Sequence, residues 1–135
     1  MEDCTFCHIV EGDESAHLLY EGEEVVAFLD ANPAVRGHTL VVPRAHVDDV
    51  LLADESTARA VSETARAVAL AMRETLRPDG FSVFHTTGGL VGNVEHAHLH
   101  LLPRFEGDGL GLSLSRERLA DHDPERLVSR IGEGL

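Results

Sequence analysis

The alternation of apolar and polar residues along the chain predicts a sheet of five short strands. Apolar runs at residues 18–20 and 25–29 lie on either side of a turn at Gly22, and the run "HTLVVP" follows a glycine and ends at a proline. Two further runs, "FSVFHT" and "HAHLHLLP", have the same character. The predicted strands are therefore residues 18–20, 25–29, 38–43, 81–86 and 96–103.

The hydrophobic period changes between residues 55 and 77, where apolar side chains recur at steps of three and four. Val61, Val68 and Met72 lie on one side of the helix that this pattern predicts. The helix is expected to cover one face of the sheet and to end at Pro78, because proline cannot continue it.

A second, short helix is predicted to begin at "DPERL", with Asp123 as its N-cap and Pro124 at its first position. Five strands, one long helix and one short helix make an α+β fold with an antiparallel sheet. The chain of 135 residues is long enough to bury a core. We predict that residues 1–135 form a single domain.

Three histidines alternate with apolar residues in "GNVEHAHLHLLPR", at His96, His98 and His100. On a strand they would point outward together, while Ala97 and the two leucines that follow point into the core. A solvated polar face explains one such histidine, but three in register indicate a functional site. Spacing alone leaves two kinds of site open, a zinc ion with a position for water and a histidine nucleophile.

The charge of the chain limits its partners. Asp and Glu number 24 against 11 basic residues, all of which are arginine. So negative a surface disfavours nucleic acid polymers and anionic membranes, and a phosphate-bearing partner is expected to be a small molecule. The sequence shows neither an apolar run of membrane-spanning length nor a signal peptide, so we expect a cytoplasmic protein.

The cysteines, Cys4 and Cys7, lie in "CTFC". A disulfide across two residues would close too small a loop to stabilise much, and cytosolic thiols stay reduced. Metal binding, redox chemistry and two buried thiols remain possible on this pattern alone.

Two longer blocks, "FLDANPAVRGHTLVVPRAH" at residues 28–46 and "VEHAHLHLLPR" at residues 94–104, resemble the signatures of the histidine-triad (HIT) family. "CTFCHIVEGDESAHLLYE" resembles the N-terminal hairpin of that family. The resemblance covers residues 4–109 and leaves 110–135 as a C-terminal loop and short helix. It implies a HIT-like fold, a homodimer, and hydrolysis or transfer at the α-phosphate of nucleotides.

Residue by residue, the resemblance makes His98 the nucleophile. It would attack the α-phosphate of a nucleoside phosphoramidate, an aminoacyl adenylate or a dinucleoside polyphosphate. Water would then cleave the nucleotidyl-histidine and release a nucleoside monophosphate. His100 and His38 match histidines of the phosphate pocket, and Asp30 and Ala31 match residues that border the ribose.

Members of the family with an N-terminal Cys-x-x-Cys hold a zinc ion. The resemblance assigns its ligands to Cys4, Cys7, His46 and His96. Two thiolates and two imidazoles make a closed tetrahedral set, so this zinc would be structural. His8 and His17, which lie close in sequence, are alternative ligands.

The sequence departs from the family pattern before the triad, in "VGNVEH". Gly92 stands where most members have a glutamine whose amide reaches the scissile bridge. Asn93 stands where a neighbouring residue often binds the α-phosphate, and its amide is expected to replace one or both contacts. The lost glutamine favours an alternative, a nucleotide-binding or scaffolding protein with little turnover. A zinc hydrolase with the metal on the three triad histidines is disfavoured, because the cysteines offer zinc a softer site.

The acidic composition also predicts a host adapted to high salt. The net charge is −13, and salt at multimolar concentration screens repulsion beyond about 3 Å. We expect the melting temperature to rise between low and multimolar KCl, as followed by circular dichroism, and to rise less in sucrose of equal osmolarity. A melting temperature that KCl leaves unchanged would contradict this prediction.

Overall fold

The computed structural model describes residues 4–87 and 95–135 and contains five strands and three α-helices in these ranges. A short 3-10 turn at Leu119–His122 precedes the last helix. In chain order the elements are α1 (Thr5–Glu11), β1 (Leu18–Glu21), β2 (Val25–Leu29), β3 (Thr39–Pro43), α2 (Glu55–Thr75), β4 (Gly80–Phe84), β5 (Leu99–Arg104) and α3 (Pro124–Glu133).

All five strands join one antiparallel sheet in the order β1-β2-β3-β5-β4. The central pair, β2 and β3, is in register from Val25 opposite Pro43 to Leu29 opposite Thr39. The fifth strand enters between β3 and β4, so it lies inside the sheet and brings the residues before it to the centre of the molecule. The predicted antiparallel α+β sheet is confirmed.

Both faces of the sheet are covered, because residues of β2 alternate between two clusters. Val25 and Ala27 pack with side chains of α2, including Val61, in the larger core. Val26 and Phe28 belong to a second cluster that includes residues of α1. The helix predicted over residues 55–77 therefore covers one face, as expected, and α1 covers the other.

The N-terminal segment is a helix and a strand, so the expected hairpin is wrong. Cys4 is the N-cap of α1, and its Sγ accepts a hydrogen bond from the Cys7 N–H at 3.3 Å. Gly12 ends the helix with φ at 84°, the left-handed conformation that glycine adopts without strain. Burial of Phe6 against the sheet stabilises a helix too short to form alone.

The ends of several elements also differ from the prediction, and β4 ends at Phe84 instead of residue 86. Helix α2 ends at Thr75, and Arg77 has φ at 53° because the ring of Pro78 disfavours the helical conformation before it. Strand β5 begins at Leu99, so His96 and His98 precede the strand. Their rings contact Phe6 of α1, on the face of the sheet that α2 does not cover.

The last helix begins as predicted, with Pro124 at its start. Asp123 occupies the N-cap position but makes no side-chain cap hydrogen bond. Within the described ranges, no helix combines the length and the apolar composition that crossing a membrane requires.

Candidate active site and metal centre

A chain of hydrogen bonds links two histidines of the predicted phosphate pocket. The Ala34 N–H donates to Nδ1 of His38 at 3.0 Å, so the proton of the His38 ring lies on Nε2. That Nε2 lies 2.9 Å from Nδ1 of His100 and donates to it. The proton of His100 is therefore on its own Nε2, where it can be donated to an oxygen outside the pair.

The loop between β2 and β3 holds His38 in place. The Asp30 N–H donates to the His38 carbonyl at 2.9 Å and closes the loop. Gly37 precedes His38 with φ at 92°, and a Cβ there would come within 2.9 Å of Pro103. Only glycine meets both demands, since the conformation and the close approach each exclude a side chain.

His100 is held in an apolar environment. Its ring stacks on Phe84 of the neighbouring strand, with centroids 4.4 Å apart and planes at 15°. Burial, together with the nearby rings of His98 and His38, lowers the pKa of His100 to about 4. At neutral pH this histidine is an uncharged donor.

His98 has one ring nitrogen tied to the backbone. Its Nδ1 lies 2.8 Å from the carbonyl of His96, which can only accept, so the neutral ring carries its proton on Nδ1. The lone pair then lies on Nε2, as a nucleophile requires. The ring of Phe6 meets that of His98 edge-on, with centroids 4.9 Å apart.

Four residues from three parts of the chain form a compact cluster of metal-ligating atoms within 4.8 Å of one another. They are Cys4, Cys7, His46 and His96. Cys7 Sγ lies 3.3 Å from His46 Nδ1 and 3.4 Å from His96 Nδ1. Tetrahedral zinc, with bonds of about 2.3 Å to sulfur and 2.0 Å to nitrogen, separates such atoms by roughly 3.5 Å. The donor set fits a zinc ion.

The orientation of His96 supports the same conclusion. Its Nε2–H donates to the Pro43 carbonyl at 2.7 Å, so the lone pair on Nδ1 faces the sulfur atoms. His96 is fully buried, because α1 covers this face, and the expectation that it points outward is wrong. Burial lowers its pKa, which keeps the imidazole unprotonated and able to bind metal.

The other predicted residues divide into three groups. Asp30 lies beside His38, with Oδ2 3.4 Å from Nε2, and Ala31 is exposed next to it. Asn93 and Gly92 lie outside the described residues. His8 groups with two carboxylates on the surface and His17 is exposed, so neither belongs to the Cys and His cluster.

Sequence reasoning missed three side chains that contact the histidines. They are Phe6, Phe84 and His85. Phe6 lies between the two cysteines, so the predicted metal motif could have indicated that this residue is close to the site. Phe84 ends the fourth strand and His85 follows it, and their pairing with the triad depends on strand order, which hydrophobic alternation does not encode.

Comparison with known proteins gives concordant results. The HIT domain family matches residues 11–107. The structure of SMU.412c from Streptococcus mutans superposes with a TM-score of 0.90 at 32% identity, over 99% of this chain and 86% of that one. A zinc-bound histidine triad family protein from Mycobacterium smegmatis superposes with a TM-score of 0.76 at 32% identity, over 99% of each chain. The predicted fold is confirmed.

A relative with a stated activity is the adenylylsulfatase HINT3 of Arabidopsis thaliana. It is 31% identical over 137 residues, which cover 98% of this chain and 70% of that protein.

The lowered pKa of His100 predicts that stability depends on pH. The unfolded chain binds a proton at this residue near pH 6.5, whereas the folded chain does so only near pH 4. The contribution of neutral His100 is therefore complete above pH 6.5 and is lost as the pH falls to 4. Between pH 6.5 and pH 4 we expect the free energy of unfolding to decrease in wild type. In His100→Asn this decrease should be smaller by about 1–2 kcal/mol. The difference is less than the pKa values alone would give, because water reaches part of the ring and screens its charge.

Urea unfolding at several pH values measures this difference. The exposed His17→Asn serves as the control and should follow wild type. Parallel curves for wild type and His100→Asn would contradict the prediction.

Proposed function

Because the chain belongs to the HIT domain family, we propose that it cleaves nucleotides at the α-phosphate through covalent attack by His98. The observation that carries this proposal is the bond between Nδ1–H of His98 and the His96 carbonyl, which leaves the lone pair on Nε2. The lone pair attacks the α-phosphorus, a P–N bond forms, and the leaving group departs with the electrons of the cleaved bond. Water then displaces the histidine and releases a nucleoside monophosphate.

His100 and His38 would stabilise the transferred phosphoryl group. The Nε2–H of His100 is aligned by the hydrogen bond from His38 and can donate to a phosphate oxygen. The carboxylate of Asp30 can accept hydrogen bonds from the ribose hydroxyls, with Ala31 beside it. Asn93 would supply a further donor to the phosphate.

The substrate class that we infer is a nucleoside phosphoramidate or a dinucleoside polyphosphate. The similarity to an adenylylsulfatase supports chemistry at a nucleotide phosphate with a small leaving group.

We also propose a structural zinc ion at Cys4, Cys7, His46 and His96. The sulfur–nitrogen distances and the zinc-bound relative support it. All four positions of a tetrahedral ion would be filled by side chains, so the ion would fasten α1 to the sheet and would not activate water. Its thiolates need a reducing compartment, which supports a cytoplasmic location.

A homodimer is the third part of the proposal. Strand β4 lies at an edge of the sheet and exposes Val83 and Phe84. An unpaired edge with exposed apolar residues favours pairing with a second copy of the chain.

The role of His98 predicts that His98→Ala loses activity. With adenosine 5′-phosphoramidate in concentrated KCl, we expect AMP release to fall by roughly 1000-fold or more, because the variant lacks the proposed nucleophile. The exposed His122→Ala should match wild type. AMP binding without turnover by wild type would favour a nucleotide-binding protein, and activity retained in His98→Ala would exclude covalent attack by this residue.

The zinc site predicts a different pattern of metal content. We expect about one zinc ion per purified wild-type chain, and loss of most of it in Cys4→Ser and Cys7→Ser. His98→Ala, which leaves all four ligands intact, should retain the metal. Elemental analysis after dialysis measures this, and zinc lost only in His98→Ala would place the metal on the triad instead.

A further inference from the structure

We propose that His85 is a positioning residue for the nucleophile, and that it acts by fixing the backbone of His98 through its Nδ1–H. The inference rests on the proposed function, because it concerns the same reaction. His85 directly follows β4, and its side chain is only 9% exposed. None of the proposed reaction steps uses it.

Both nitrogens of the His85 ring are bonded to main-chain groups. The Val50 N–H donates to Nε2 at 3.1 Å, so this nitrogen carries a lone pair. Nδ1 then carries the proton and donates to the carbonyl of His98 at 3.1 Å. The ring is thus a rigid bridge between the loop before α2 and the nucleophile.

The bridge lies where the pairing between β4 and β5 ends. The last registered pair of β4 and β5 is Phe84 opposite His100, and β5 begins at Leu99. The carbonyl of His98 therefore precedes the strand, and the side chain of His85 supplies the hydrogen bond that a longer strand would have made. Without this donor, the His98 carbonyl would lose a hydrogen bond and would be free to reorient.

The loop before α2 holds the neighbouring residue as well. The Ala97 N–H donates to the Val47 carbonyl at 2.7 Å. The backbone of His98 is consequently held by two hydrogen bonds, one from the Ala97 N–H before it and one to its own carbonyl. The His98 side chain is attached to this part of the backbone, so displacement of the carbonyl would turn Nε2 away from the phosphorus. Small errors of alignment slow such an attack strongly.

One charged group lies close to the bridge. Oδ1 of Asp49 is 3.6 Å from Nε2 of His85, and it also accepts the N–H groups of Leu51 and Leu52. The Thr87 side chain also donates to this carboxylate, so its oxygens have partners other than the His85 ring. The contact between His85 and His98 is made by Nδ1 of His85, which donates to the His98 carbonyl.

Three substitutions separate the two ends of the bridge. His85→Asn places an amide N–H near the position of Nδ1 and keeps the donor to His98. His85→Gln places an oxygen near the position of Nε2 and keeps only the acceptor for Val50, and His85→Leu removes both. Thr86→Ala, at the exposed next residue, is the control.

We expect kcat for AMP release from the phosphoramidate to fall roughly 10- to 100-fold in His85→Gln and His85→Leu. His85→Asn should stay within about 3-fold of wild type, with KM unchanged throughout. All variants are compared as zinc-loaded, folded protein. Equal kcat in all three variants, or equal losses in His85→Asn and His85→Leu, would overturn the role of Nδ1.

A measurement that needs no turnover separates this inference from the proposed function. Imidazole ¹⁵N spectra of the zinc-loaded protein should show the Nδ1–H tautomer for His98 in wild type and in His85→Asn. They should show a mixture of tautomers in His85→Leu. An unchanged His98 spectrum in His85→Leu would overturn the inference. Absence of AMP release by wild type would refute the hydrolase, and the spectra would still decide the role of His85.

Discussion

Hydrogen bonds between the backbone and single ring nitrogens organise the centre of this protein. The Pro43 carbonyl accepts a hydrogen bond from the His96 ring, and the His96 carbonyl accepts one from the His98 ring. The Ala34 N–H donates to one ring nitrogen of His38. An imidazole has two nitrogens with opposite roles, so each such bond decides which one faces the metal centre, the substrate or the next ring. The chemistry proposed for each histidine follows from this assignment.

The same face of the sheet thereby carries both of the proposed sites. Where α1 packs on it, the cysteines turn His96 into part of a closed cluster of four donors. Farther from the cysteines, His98 and His100 are half-buried, and only Phe6 of α1 is seen against the His98 ring. The roles proposed for His96 and His98 differ because His96 is fully buried beside the two cysteines, whereas His98 is half-buried. Phe6, which contacts both His96 and His98, joins the two sites physically.

The acidity of the chain fits a pocket that works without lysine. A net charge of −13 repels anions at long range, so the nucleotide of the proposed reaction would have to be held by donors that act at contact distance. Neutral imidazoles would serve this purpose, since burial lowers the pKa of His100 to about 4 and leaves its ring an uncharged donor. Such donors stabilise phosphoryl oxygens without the desolvation cost of a buried cation.

Much of the fold and of the site could be predicted from local patterns. Alternation predicted all five strands and a period of three to four predicted α2, as the structure has them. The spacing of His96, His98 and His100 predicted a functional site, although His96 is buried and does not point outward. These features depend on neighbours in sequence, which each residue type influences directly. The helix at Cys4 was missed because its stability comes from burial of Phe6 against a sheet that is distant in sequence.

The tertiary structure alone decided the roles of individual atoms. Insertion of β5 between β3 and β4 brings His100 to His38 and brings His98 to His85, across separations of 62 and 13 residues. The burial of His96, the tautomer of each ring and the bridge at His85 all arise from these contacts. A sequence specifies which side chains have the right chemistry, whereas the direction of a lone pair depends on the hydrogen-bond partner that folding places beside it.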